Sequence, residues 1–190
     1  MTGGINVEKN TSKNINGLEH VPEKWKKCSI RENTNCYAYA LDLPIDPKTE
    51  RRFISWEHIQ PGNICNRKGK VIFWDSIIRK LDKKGIKYFI SEFRKDCKYL
   101  GYEVRKSSYK ESRRGDWWKV ALCFDKEDYH WYRQNDDGTW SHKMGMAEAS
   151  NKDKKDKVIT NPETCNRGSY RKFKGYFLIR ENPYGKPMWE

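Results

Sequence analysis

Long apolar runs are missing from this sequence. No stretch approaches the roughly 20 apolar residues that a membrane-spanning helix requires. The first nine residues, Met1–Lys9, contain no apolar segment that could serve as a signal peptide. We therefore expect a cytoplasmic protein without a membrane span. A mean hydropathy of −1.06 and a charged fraction of 34% indicate a heavily solvated exterior.

Closely paired cysteines are also absent. The six cysteines lie at positions 28, 36, 65, 97, 123 and 165 and include no C-x-x-C pair. The sequence therefore does not predict a zinc ribbon or finger, whose ligands come in such pairs. We expect no metal and no cofactor, and thiols that stay reduced instead of forming disulfides.

Acidic residues are fewer than basic residues in this sequence. The chain has 39 Lys and Arg against 26 Asp and Glu, which gives a net charge of +13 and favours an anionic partner. A simpler interpretation is solubility, because the lysines are scattered along the chain. The charge nevertheless raises one alternative function, a non-catalytic basic protein that binds nucleic acid through its charge and exposed aromatic residues.

The order of the predicted elements indicates one α+β domain. Residues 1–22, rich in Asn, Gly, Lys and Ser, predict a loose lead-in, and residues 23–190 predict a single domain. Trp25–Ile30 predicts a short strand or a turn. Apolar spacing then predicts one helix from Phe73 that Gly85 ends, and a second that Gly101 ends. Helices followed by an antiparallel sheet are typical of the α+β class.

Four strand segments follow the helices. The first two run over residues 102–105 and 117–124, a hairpin covers residues 128–143, and the last strand runs over residues 173–180. Residues 144–172, rich in Lys, Asn and Asp, predict a long irregular connection on the surface.

Cys36 opens a short predicted helix. The polar run Asn33-Thr34-Asn35 offers an N-cap, and the helix must end near Asp42 because Pro44 follows. A thiolate is the reactive form of cysteine, and a helix start with a neighbouring base lowers a thiol pKa. This pattern predicts that Cys36 is the nucleophile of an enzyme.

Histidine is scarce, and its distribution is informative. The chain has four histidines, of which His130 and His142 fall in the predicted hairpin. A three-residue loop with Gly138 in the left-handed conformation pairs Tyr132 with His142 and places both imidazoles on one face. A four-residue loop would send them to opposite faces. We expect the first register.

These residues predict a cysteine hydrolase site. In the expected site, Cys36 is the nucleophile, His130 is the general base, and His142 orients the imidazole of His130. In a second version of the site, His142 is the general base and His130 has only a structural role. Three polar residues are further candidates for orienting the imidazole or donating to the oxyanion: Asp128, Gln134 and Gln60.

Short segments of the chain resemble papain-like cysteine hydrolases of the NlpC/P60 type. Asn35–Leu41 is similar to their nucleophile segment, Gly115–Trp118 to the entry into their first core strand, Tyr129–Trp131 to their base segment, and Trp140–His142 to their orienting position. That family has Asp before the cysteine and a small residue after it, where this chain has Asn35 and Tyr37.

The resemblance implies N-terminal helices packed on an antiparallel β-sheet and the hydrolysis of amide bonds, as a peptidase, an amidase or a deamidase. We expect the substrate to be an intracellular protein or peptide. The same segments are similar to stretches of small bacterial proteins, which implies no activity.

Overall fold

The computed structural model describes residues 23–44, 59–66, 74, 78 and 83–184. The predicted lead-in and most of the helix predicted from Phe73 lie outside these residues. Trp74 and Ile78, which belong to that predicted helix, are helical and buried. His20 and His58, the two histidines outside the hairpin, also lie outside the described residues.

Helices precede the strands along the chain. The helices are α1 (Glu23–Lys26), α2 (Cys28–Asn33), α3 (Cys36–Ala40) and α4 (Lys83–Tyr99). The strands are β1 (Tyr102–Ser107), β2 (Trp118–Phe124), β3 (Tyr129–Gln134), β4 (Trp140–Lys143), β5 (Ala149–Ser150) and β6 (Lys172–Glu181).

The strands form one six-stranded sheet in the order β1-β6-β2-β3-β4-β5. Every neighbouring pair is antiparallel. The predicted α+β class is therefore confirmed. Among the described residues, no helix has the length and apolar content needed to cross a bilayer.

Aromatic side chains fill the space between the helices and the sheet. Phe89 and Phe93 lie four residues apart on α4 and are buried against Trp131 of β3, with ring centroids 6.4 and 4.8 Å away. This spacing places both rings on one face of the helix. The other face of the sheet buries a smaller cluster: Ala121, Cys123, Tyr132, Trp140, Ile159 and Tyr176.

Three local expectations were wrong, each because tertiary contacts decided the conformation. All of residues 25–30 except Lys27 are helical, because α1 and α2 bury Trp25 and Ile30 in a cluster with Tyr39 and Ala149. Gly85 lies inside the first turn of α4 instead of ending a helix.

The connection over residues 144–172 is the third case. It contains β5, and its Ile159 is fully buried. The main-chain N–H of Trp140 donates to the Ile159 carbonyl at 2.8 Å. The connection therefore covers the second face of the sheet instead of lying only on the surface.

Asp96 on α4 organises the irregular segment 59–66. One carboxylate oxygen accepts hydrogen bonds from the Gly62 N–H at 2.7 Å and from the Tyr37 hydroxyl at 2.9 Å. The other accepts from the Cys65 N–H at 2.8 Å. Burial raises the pKa of Asp96 to about 6, against the lowering effect of these donors. One side chain thus joins α3, α4 and the segment that carries Gln60.

We expect the Asp96 carboxyl to make stability depend on pH. Because its pKa rises from 3.8 to about 6 on folding, the folded state binds its proton more tightly. This contribution to stability is present below about pH 4 and is lost as the pH rises through 6. Asp96→Asn cannot titrate and loses one acceptor, which costs about 1–3 kcal/mol when Asp96 is protonated.

Chemical denaturation at pH 4 and pH 7 measures this effect. The stability advantage of the native chain over Asp96→Asn should shrink by about 2–3 kcal/mol between these pH values. Asp116→Asn, which changes an exposed carboxyl, is the control and should show a constant difference. A difference for Asp96→Asn that stays constant or widens contradicts the assignment.

Candidate functional site

Asn35 fixes the start of α3. Its Oδ1 accepts hydrogen bonds from the N–H groups of Tyr37 and Ala38, both at 3.0 Å. Its Nδ2 donates to the Ile59 carbonyl at 2.7 Å. The predicted polar N-cap is therefore confirmed, and the same side chain ties Cys36 to the segment that carries Gln60.

Side chains from the sheet hold the other end of α3. Trp118 Nε1 donates to the Ala40 carbonyl at 2.9 Å, and Arg133 Nη1 lies 3.3 Å from the Tyr39 carbonyl and 2.8 Å from the Asp42 carboxylate. An isolated helix of five residues is not stable in water. These contacts therefore hold the Cys36 helix in place, and it ends near Asp42 as predicted.

The hairpin has the predicted register. Tyr132 pairs with His142, Asn135 N–H donates to the Thr139 carbonyl at 2.8 Å, and Gly138 has φ +83°. His130 and His142 consequently share one face of the sheet. His130 Nε2 lies 2.7 Å from His142 Nδ1, so the two imidazoles are hydrogen bonded to each other.

A main-chain carbonyl determines which nitrogens of this pair carry protons. His142 Nε2 lies 3.0 Å from the Lys152 carbonyl oxygen, which can only accept. His142 Nε2 therefore carries its proton, and in the neutral ring Nδ1 is an acceptor. His130 must then donate from Nε2, which leaves the Nδ1 lone pair of His130 available as a base.

Cys36 and His130 line the same cavity. Its volume is about 170 Å³, and its lining residues are Asn35, Cys36, Gln60, Asp128, Tyr129, His130, Met144, Gly145 and Tyr170. Cys36 is 7% exposed and His130 is 2% exposed. Among the described residues, the ring of His130 is hydrogen bonded to His142 through Nε2.

Burial keeps both groups of this pair neutral. It raises the pKa of the Cys36 thiol to about 12, against a lowering effect of the main-chain N–H groups of Trp131, Cys36 and Tyr37. Burial also holds the pKa of His130 well below its ordinary value of 6.5, helped by His142 and Lys154. The expected lowering of the thiol pKa is therefore not found, because desolvation outweighs the helix start.

The other predicted site residues have different surroundings. Asp128 lines the cavity, but its carboxylate accepts from the Tyr170 hydroxyl and the Tyr129 N–H, both at 2.7 Å, and from neither His130 nor His142. Gln134 Nε2 lies 3.4 Å from the Gly138 carbonyl, within the hairpin turn and away from the cavity.

Gln60, a candidate oxyanion donor, lines the cavity. Its Oε1 accepts the Tyr129 hydroxyl, and its main-chain N–H donates to Asn63 at 2.7 Å. Since Oε1 is engaged, Nε2 is the end of the side chain that remains as a donor. Within the part of the chain that the structure describes, no acceptor binds this Nε2.

Two residues at the site, Tyr170 and Lys143, were not predicted from the sequence. The Tyr170 ring lies over His130 with centroids 5.1 Å apart, and no local pattern predicts this contact because Tyr170 follows a long irregular segment. Lys143 is fully buried beside His142. The alternation in Trp140-Ser141-His142-Lys143 could have revealed it, since it places a charged residue on the inward face of a strand.

No metal cluster is formed by the residues described, since they contain no group of three His, Cys, Asp or Glu side chains suited to an ion. The six cysteines are all unpaired thiols. The cavity therefore presents one thiol, one imidazole base and an amide donor.

Comparison with known proteins finds one informative relative. The chain is 26% identical over 159 residues to insoluble matrix shell protein 1 of Ruditapes philippinarum, and the match covers 83% of this chain and 87% of the relative. No family model matches the sequence, and no solved structure matches it.

This relative overturns the expected location. A protein of the shell matrix lies outside the cell, so the expectation of a cytoplasmic protein is wrong. The expectation rested on the missing apolar segment near Met1, which was not sufficient to exclude export.

The proton positions in the histidine pair lead to a direct prediction. We expect long-range ¹H–¹⁵N correlation spectra to show His130 protonated at Nε2 and bare at Nδ1, with no titration between pH 6 and pH 8. The reason is that burial lowers the His130 pKa while His142 accepts the Nε2 proton. In His142→Ala the acceptor is lost, and a mixture of tautomers should appear. A His130 ring that is protonated at Nδ1, or that titrates near 6.5, contradicts the assignment.

Proposed function

We propose that this protein is a cysteine hydrolase that cleaves amide bonds, with Cys36 as nucleophile, His130 as base and His142 as the residue that orients the base. The main support is that Cys36 and His130 line one cavity while the Lys152–His142 chain leaves His130 Nδ1 unprotonated. A neutral imidazole that reaches a thiol across such a cavity can accept the thiol proton.

The neutral state of both groups shapes the proposed mechanism. Because the thiol pKa is about 12, Cys36 is protonated at rest, and His130 Nδ1 takes its proton as the sulfur attacks the carbonyl carbon. The tetrahedral intermediate carries an oxyanion, for which the Cys36 N–H and Gln60 Nε2 are the proposed donors. His130 then protonates the leaving amine, and water releases the acyl group from sulfur.

The finer fold assignment is part of this proposal. A papain-like arrangement of the NlpC/P60 type has its cysteine at the start of a helix on an antiparallel sheet and its histidines on neighbouring strands. The position of Cys36 on α3 and of His130 and His142 on β3 and β4 supports the likeness. Asn35 and Tyr37 depart from the residues that flank the cysteine in that family.

A second candidate function comes from the relative. Its name describes an insoluble matrix protein of a shell, which favours a structural role for this chain in an extracellular matrix. Such a role needs no reactive thiol, so it would survive Cys36→Ala. The alternative that this basic protein binds nucleic acid stays a prediction. If it is correct, the affinity for nucleic acid should fall steeply as the salt concentration rises.

Cys36 and Cys65 provide a matched pair for testing the enzyme. Both thiols have a pKa of about 12, and Cys65 is the more exposed. If His130 accepts the Cys36 proton, Cys36 should be alkylated faster by iodoacetamide at pH 7 despite its burial. His130→Ala should slow Cys36 by about 100-fold, the lower end of typical general-base effects, and leave Cys65 unchanged.

Peptide mass spectrometry measures both rates in one sample. A parallel incubation with p-nitrophenyl acetate should add one acetyl group to Cys36, and His130→Ala should abolish this addition. If Cys36 reacts no faster than Cys65, or if His130→Ala changes neither rate, the hydrolase proposal fails and the structural role becomes the better account.

A further inference from the structure

Lys143 is a buried cation next to the proposed nucleophile. Its side chain points to the face of β4 opposite His142 and is 0% exposed. Nζ donates to the main-chain carbonyls of Arg31, Thr34 and Gly145, with a distance of 2.7 Å for Thr34. An ammonium group has three N–H donors, so all three are used.

This charge has no carboxylate partner among the residues that the structure describes. The three acceptors are neutral carbonyls, and a buried charge without an opposite charge is costly. The charged groups that affect Lys143 are Cys36, whose anionic form favours the ammonium, and Arg31, which disfavours it. Negative charge on the Cys36 sulfur would therefore balance the positive charge of the Lys143 ammonium group.

The three carbonyls also connect Lys143 to the site through the chain. Thr34 is followed by Asn35, the N-cap of α3, and then by Cys36. Gly145 lines the cavity, and Arg31 belongs to the last turn of α2. A single ammonium group thus joins three segments, of which those of Thr34 and Gly145 lead directly to the cavity of Cys36.

We propose that Lys143 is a positioning residue for the Cys36 site, whose buried ammonium group both holds the segment before Cys36 and stabilises negative charge on its sulfur during the reaction. This inference rests on the proposed hydrolase. In this proposal, Lys143 supplies a positive charge from the face of β4 opposite His142. Neither His130 nor His142 supplies this charge.

The effect of Lys143 on Cys36 can be separated by pH from the effects of the neighbouring titratable groups. Burial lowers the pKa of Lys143 to about 8, so its charge disappears above that pH. Burial moves the titration of the neighbouring groups away from pH 8. It holds the pKa of His130 well below 6.5, raises that of Cys36 to about 12, and raises those of Tyr129 and Tyr170 above their ordinary value of 10. The groups that face Cys36 are Asp128, Tyr129, His130, Lys143, Tyr170 and Cys123.

Lys119 offers a matched control. It is also buried, at 1% exposure, and its Nζ also donates to three carbonyls, those of Ser108, Tyr109 and Glu111. These residues do not line the cavity. Lys119→Met therefore removes the same chemistry from another part of the sheet.

The experiment measures the ratio of the Cys36 to the Cys65 alkylation rate between pH 6 and pH 10. In the native chain this ratio should bend downward above about pH 8, as Lys143 loses its proton. Lys143→Met should lower the ratio at pH 7 about tenfold and remove the bend, while Lys119→Met should leave both unchanged. Lys143→Arg, which stays charged throughout, should keep a high ratio without the bend.

Circular dichroism and melting curves establish which variants are folded, and the bend in the native chain tests the inference even if Lys143→Met does not fold. A native ratio without a bend, or an equal loss in Lys143→Met and Lys119→Met, overturns the role of Lys143 while leaving the hydrolase intact. A native Cys36 that reacts no faster than Cys65 overturns both.

Discussion

The candidate site depends on the pairing of Tyr132 with His142 across the β3–β4 hairpin. Side chains alternate between the two faces of a strand, so a shift of one residue would separate His130 from His142. Such a shift would also move His142 and Lys143 to each other's face of β4. The ammonium group of Lys143 would then lie among aromatic rings. The turn at Gly138 sets this register and thereby the composition of both faces.

Buried polar side chains organise the irregular parts of the molecule. Asp96 binds the segment that carries Gln60, Asn35 binds Ile59, and the two lysines Lys119 and Lys143 each bind three carbonyls. Main-chain groups in loops need partners when they are buried, and here charged or amide side chains provide them. As a result, side-chain hydrogen bonds tie the loops around Cys36 to α3, α4 and β4.

Desolvation sets the chemistry of the cavity. It favours the neutral forms of both Cys36 and His130, so the resting pair is a thiol and an imidazole. Charge would develop on them only as a proton moves, and the main-chain N–H groups near the sulfur would stabilise it then. Tyr170 contributes to this dry environment by covering the His130 ring.

Local sequence signals determined much of this protein: the capped start of α3, the end of α4 at Gly101, five of the six strands of the sheet and the hairpin register. Each depends on residues that are near one another in the chain, namely a polar cap, a glycine or an alternating pattern. The same locality brought His130 and His142 together. Where local signals were weak, as in residues 25–30, packing against Tyr39 produced helices instead.

Only the tertiary structure decided the protonation and charge of the site. The Lys152 carbonyl that fixes the His142 proton and the ring of Tyr170 reach the site from segments that no local pattern connects. Only packing between distant segments brings the Lys143 ammonium group to the Thr34 carbonyl. The pKa of Cys36 was misjudged for the same reason. A helix start is visible in the sequence, whereas the burial that outweighs it results from packing between residues far apart in the chain.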